Sequence, residues 1–219
     1  MSTRKQAFVL GEFYHIYNRG NSKQKIFHDK EDYRHFVGLL FACNSVNNFR
    51  SYGLNKGESP FDFERGNLLV SIGAYTLMPN HFHILVTETE NGSISKFMQK
   101  LTTAYVMYYN KKYQRTGSLF EGKFKSQYLN TDRYLKYIFS YIHLNAVKLI
   151  DKDWKEKGIK NKKETLDYLD NYEYSSYVDY KGNERLQNKI LNYKAFPVYF
   201  NSKKEFSREI FKWLTFKSD

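Results

Sequence analysis

Two short patterns hold the side chains best suited to chemistry in this chain. The first is His81-Phe82-His83. In a strand, side chains alternate between faces, so both imidazoles stand on one side while Phe82, Ile84 and Val86 point to the other. Two adjacent imidazoles can serve as two ligands of one metal ion, but such a site normally takes three or four. The second pattern is Tyr141-Ile-His-Leu-Asn145. Helical residues four apart share a face at a spacing of about 6 Å, which places a phenol and an amide oxygen one turn apart. That pair could set a nucleophile beside a further ligand. Neither pattern is specific alone. A His-x-His pair commonly serves packing or surface, the chain holds 20 tyrosines, and a helical Asn commonly faces solvent or bonds nearby backbone.

The elements that must position these residues can be read from periodicity. Aromatic and β-branched residues predict a strand over Phe8–Asn18, closed by a turn at Arg19-Gly20-Asn21. Tyr33, Phe36, Val37, Leu40 and Phe41 have the spacing of an amphipathic helix over Lys30–Asn44. A polar loop follows over Ser45–Asn67. Leu68–Met78 and His81–Glu88 read as strands parted by Pro79-Asn80. Ser93 is placed to cap a helix bearing Ile94, Phe97, Met98, Leu101, Tyr105 and Tyr108, which Arg115–Ser118 ends. Leu119–Leu129 reads as another strand. Asn130 or Thr131 then caps a helix to about Ile150, with a buried stripe of Leu135, Ile138, Ile142, Ala146 and Leu149. The order implies an α+β fold: a ferredoxin-like βαββαβ antiparallel sheet with helices on one face and one added helix. Composition changes after Asp151, which divides the chain into a core at 8–150 and a basic, aromatic extension at 151–219. Within the extension, Asp151–Glu164 reads as a solvated, lysine-rich connection.

Composition bounds the function. Lys and Arg total 35 against 23 Asp and Glu, a formal charge of +12, and 18% of residues are aromatic. Lysines neutralise phosphates and aromatic faces stack on bases, so the pairing points to nucleic acid. Nine basic residues fall between Lys96 and Lys136 against Glu121 and Asp132, a local +7. Of these, Lys96, Lys100, Lys111, Lys112, Arg115, Lys123 and Lys125 are candidate phosphate contacts beside the site. The one cysteine, Cys43, excludes an internal disulfide framework and a multi-cysteine zinc site. No apolar run is long enough to span a bilayer, and Met-Ser-Thr-Arg-Lys-Gln at the start is not a secretory signal. A cytoplasmic location and no membrane partner are expected.

Five blocks carry a resemblance. Tyr75–Val86 (YTLMPNHFHILV) resembles the His-hydrophobic-His strand of the HUH superfamily of single-tyrosine transposases. Tyr141–Lys148 resembles the Tyr-x-x-x-Asn helix of the branch associated with repetitive extragenic palindromes. Phe13–Asn21, Arg115–Phe124 and Tyr172–Gly182 are similar to three further blocks of that branch, in the same order. The resemblance covers Phe13–Gly182 and not the tail. It implies that His81, His83 and Asn145 hold one divalent ion, Mg²⁺ or Mn²⁺, and that Tyr141 is the nucleophile. It further implies cleavage and joining of single-stranded or hairpin DNA through a 5′-phosphotyrosine, by a monomer or homodimer in the bacterial cytoplasm or nucleoid. Ala146 departs from the pattern, which has proline there, so the helix is expected to run on.

Other candidates read as structural. His143 is turned away from Tyr141 and Asn145 and suits a structural role ahead of a DNA-facing one, His15 suits a supporting or core position, and Tyr105 and Tyr108 belong to a packing stripe. Cys43 reads as an inert, partly buried thiol. A non-catalytic module binding single-stranded DNA or RNA is the alternative function, disfavoured by the intact set of four residues.

Overall fold

The computed structural model describes residues 7–49, 59–200 and 202–215. The expectations placed on Met1–Gln6 and on the centre of the Ser45–Asn67 loop lie outside the described residues. The core elements are β1 (Phe13–Arg19), α1 (Lys30–Ala42), β2 (Val70–Met78), β3 (His81–Glu88), α2 (Ser93–Lys112), β4 (Lys125–Tyr128) and α3 (Asp132–Leu144). They are followed by α4 (Trp154–Lys157), α5 (Lys162–Asp170), α6 (Tyr177–Tyr180) and α7 (Lys203–Thr215). No helix among the described residues is long and apolar enough to cross a membrane.

The four strands form one antiparallel sheet in the order β2-β3-β1-β4, the ferredoxin-like arrangement. Strand alternation then sorts the core. Tyr14, Ile16, Phe82, Ile84 and Val86 pack with residues of α1 and α2 on one face. Ala74, Met78 and Leu85 pack with α3 and with the chain after Asp151 on the other. Ile72 belongs to the first set and Ala74 to the second, because a register shift between them lets the strand change faces. Gly73 sits in that shift, and a Cβ there would come within 2.8 Å of the Phe196 ring.

The extension is bound to the sheet edge by main-chain pairing. Leu77 N–H donates to Tyr174 O and Ser176 N–H to Tyr75 O, both at 2.9 Å, and Asn192 N–H donates to Ile72 O at 2.9 Å. The otherwise unpaired side of β2 is thereby covered. Asp179, fully buried, takes a bidentate pair from Arg185, whose guanidinium also donates to Ser175 O at 2.7 Å. A second buried carboxylate, Asp32, gathers Lys112, Tyr108, Tyr113 and the His28 N–H.

Several boundaries differ from the sequence reading. β1 begins at Phe13 and runs through Arg19. Gly92, at φ 80°, is the N-cap of α2, and the Glu88 carboxylate accepts from Ile94 N–H in the role assigned to Ser93. β4 is only Lys125–Tyr128, since Gly117 and Gly122 take φ of 84° and 111° and bend the chain before it. Thr131 caps α3, accepting from Tyr134 N–H. α3 itself ends at Leu144, and Asn145–Leu149 tightens into a 3₁₀ turn that leaves Leu149 exposed. The helix therefore stops near the Asn even without proline.

His143 is fully buried, with Nε2 2.8 Å from Ser176 Oγ, among Phe139, Tyr180 and Phe206. Burial pushes its pKa from 6.5 to about 3. The folded state keeps this imidazole neutral while the unfolded chain protonates it. Its contribution is thus complete above about pH 6.5 and is lost as pH falls toward 3. Urea unfolding between pH 6.5 and 4 is expected to weaken by about 1.4 kcal/mol per pH unit less in His143→Gln than in the parent. Equal slopes would show that His143 is protonated in the fold.

Candidate active site

β3 lies between β1 and β2, so its polar face is central. Pairing sets His83 opposite Tyr17 on β1 and Thr76 on β2, and His81 opposite Arg19 and Met78. The two imidazoles share one face with ring centroids 5.0 Å apart. α3 crosses this face and brings Tyr141 edge-on to His83, with centroids 5.4 Å apart. Asn145 stands at the C-cap of α3, fully buried. The four residues expected to act together are thus brought together.

Their hydrogen bonds leave specific atoms open. His81 Nδ1 lies 2.6 Å from Asn80 Oδ1, which fixes that ring with Nδ1–H donating and Nε2 unprotonated. His83 Nδ1 lies 2.8 Å from His15 Nε2, so His83 can donate to His15. His83 Nε2 is buried with no hydrogen-bond partner, and the buried Asn145 amide makes no close hydrogen bond although it lies near enough to His81 and Tyr141 to act on both. Orphaned polar atoms of this kind are costly, and here they cluster beside an imidazole pair. Among the described residues no three His, Cys, Asp or Glu side chains are grouped to hold a metal ion. On this face His81, His83 and the Asn145 amide stand together, the three residues that the resemblance names as donors. A nitrogen and oxygen set of this composition suits a divalent ion.

Electrostatics keep the imidazoles neutral. Burial lowers His81 to about 4, with Lys148 adding to the effect and the nearby Asn145 amide opposing it. Burial also holds His83 well below the ordinary value, with His15 and His81 contributing, and it lowers His15 to about 4. Burial raises the Tyr141 phenol, while the Asn145 amide pulls it down.

One residue was missed. Lys155, in α4, places its Nζ 3.9 Å from the centroid of the Tyr141 ring. Burial, with Lys148, lowers its pKa to about 8. The connection over Asp151–Glu164 is therefore not simply solvated: Trp154 is buried and Lys155 is half-buried over the phenol. Its place in a lysine-rich run gave no signal, and only the buried Trp154 beside it, an aromatic in a polar segment, could have given one. His15, read as a supporting or core residue, takes the supporting position, because it contacts His83 directly.

The basic residues do not assemble as expected. α2 packs on the opposite face of the sheet, which carries Lys96, Lys100, Lys111 and Lys112 away from the imidazoles. Lys100 donates to Ser45 O and Asn47 O, and Lys112 pairs with Asp29, Glu31 and Asp32. Arg115 reaches Gln24 Oε1 at 3.3 Å. Lys123 lies exposed before β4, and Lys125, opposite Tyr17, is on the side of the site. A cavity of about 320 Å³ opens there, lined by His15, Tyr17, His83, Gln127 and Tyr141 together with Tyr134, Tyr137 and Ile138.

Comparison with known proteins bears on the family resemblance and on the fold. Residues 66–145 match the profile of the IS200-like transposases. The matched segment contains His81, His83, Tyr141 and Asn145. Among solved structures, the chain superposes on a REP-associated tyrosine transposase bound to a REP hairpin, with a TM-score of 0.51 at 12% identity. The match covers 85% of this chain and 90% of that one, and shows the shared fold. No curated protein sequence matches the chain.

Because the Asn145 amide makes no close hydrogen bond, its loss should cost little stability. Asn145→Ala in the presence of EDTA is expected to unfold in urea within about 1 kcal/mol of the parent. A loss of about 3 kcal/mol would reveal a hydrogen-bond partner for the amide.

Proposed function

We propose that this transposase-family protein cleaves and rejoins single-stranded DNA beside hairpins, with Tyr141 as the nucleophile. The observation that carries this reading is the placement of Tyr141 against His83, whose buried Nε2 has no hydrogen-bond partner, beside the buried Asn145 amide. The phenol oxygen attacks the phosphorus of a phosphodiester. The bond to the 3′ oxygen breaks, leaving a 5′-phosphotyrosine and a free 3′-OH that has taken up a proton. The energy of the ester is retained for joining to another strand.

A phenol with an ordinary pKa of about 10, raised further by burial, is a weak nucleophile at neutral pH. His81, His83 and Asn145 fit a divalent ion, and Mg²⁺ or Mn²⁺ bound there would polarise the phosphate. Neutral imidazoles favour that role, since a protonated ring cannot ligate. His15 orients His83 by accepting from Nδ1, as outer partners of ligating imidazoles do. Lys155 over the ring places positive charge against the phenol that would lose its proton on attack. The hairpin is carried over from the structural neighbour, which is described as bound to one.

A hairpin-bearing oligonucleotide with Mn²⁺ is expected to give a covalent adduct that survives denaturing electrophoresis, and Tyr141→Phe is expected to give none. An adduct with Tyr141→Phe would exclude this nucleophile. His81→Ala should abolish cleavage and the rise in Tm caused by Mn²⁺, while DNA binding in EDTA stays within about twofold. Comparable loss of binding would assign His81 a structural role. Lys155→Ala is expected to slow adduct formation by about tenfold, and Lys155→Arg to restore most of it. An unchanged rate would remove Lys155 from the reaction.

A further inference from the structure

Tyr134, Tyr137 and Tyr141 form a ladder along one side of α3. Tyr134 and Tyr137 have ring centroids 6.3 Å apart and planes 16° apart, and Tyr137 and Tyr141 are 6.3 Å and 22° apart. The same Tyr134 and Tyr137 that line the site cavity also line a second, larger one of about 680 Å³. Its other walls are Thr131, Arg133, Lys136, Glu209 and Lys212, so α7 closes it from the far side. Three cations face one carboxylate. Glu209 pairs with Lys212 at 2.7 Å, with Lys136 at 3.6 Å and with Arg208 at 3.9 Å. Lys136 is a third exposed, and Arg133 and Lys212 are exposed.

We infer that this groove holds the single-stranded DNA leading away from the cleaved phosphate. Its bases lie against Tyr137 and Tyr134 and its phosphates lie against Arg133, Lys136 and Lys212. The inference rests on the proposed cleavage of single-stranded DNA at Tyr141. Parallel aromatic faces flanked by cations are how proteins track a strand without reading its sequence. Continuity favours the same strand as occupant, because the two cavities share the Tyr134 and Tyr137 wall. The charge balance favours a polyanion over an apolar helix or a second copy of this chain. The tail after Gly182 thereby gains a role as one wall of a substrate channel, and Glu209 holds the cations in place until phosphates replace it.

The test uses the full chain and fluorescein-labelled dT15 in EDTA, which separates binding from cleavage. Tyr134→Ala/Tyr137→Ala is expected to weaken binding by 10-fold or more, whereas Tyr134→Phe/Tyr137→Phe, which keeps both aromatic faces, stays within about twofold. Arg133→Gln/Lys136→Gln/Lys212→Gln is expected to lower the slope of log affinity against log salt by about 2, from three phosphate contacts. Glu209→Gln is expected to tighten binding by removing the one anion. Unchanged dT15 affinity in both the double alanine and triple glutamine variants overturns the groove, as does a change in oligomeric state in place of affinity. Adduct formation by Tyr141 on the hairpin oligonucleotide is scored separately. An intact adduct with no groove effect rejects this inference alone, and groove binding without an adduct rejects the cleavage reading alone.

Discussion

The alternation of β3 is the constraint on which the molecule turns. The strand is internal, paired on both sides, so each of its side chains has a fixed face. Phe82, Ile84 and Val86 anchor the sheet to α1 and α2, and the residues between them, His81 and His83, are forced onto the other side. A slip of one residue would bury the imidazoles in the apolar core and expose the apolar set. The packing energy of one face thus fixes the chemistry of the other. Leu85, the next residue on the polar side, packs under α3 and helps to seat the helix that delivers Tyr141.

How much of this was legible in the sequence depends on the range of the forces involved. β3 was readable to its end residues, because Pro79-Asn80 punctuates its start and its apolar, β-branched run ends at Glu88. The pairing of Tyr141 with Asn145 followed from local helical spacing. What periodicity lacks is the side of the sheet on which a helix settles. The charge of α2 was visible, but its position opposite the imidazoles comes from the long-range packing of Phe97, Leu101 and Tyr105 on the sheet. Lys112 looked like a free cation because Asp29 and Asp32, about 80 positions earlier, are its partners.

The extension was illegible for a related reason. Its aromatics, among them Tyr177, Tyr180 and Phe196, are set in short turns and four-residue helices rather than in a repeating pattern. Each is placed by what it meets, such as the open space over Gly73 or the Gly73 carbonyl that accepts from the Tyr180 hydroxyl. Lys155 is positioned in the same way, through the buried indole beside it. Charge in sequence proved a poor guide to charge in space, whereas the isolated Trp154 in a polar run marked a docking point.

The main-chain clasp between β2 and residues 174–176 sets an order of events during synthesis. Tyr75 is bonded to Ser176, 101 positions later. While the ribosome is still adding residues up to that point, the outer edge of β2 has no neighbour and the site-bearing face lacks much of its cover. Closure over such a separation is entropically slow. The nascent chain therefore carries His81, His83, Tyr141 and Asn145 well before the contacts that hold them in place can form.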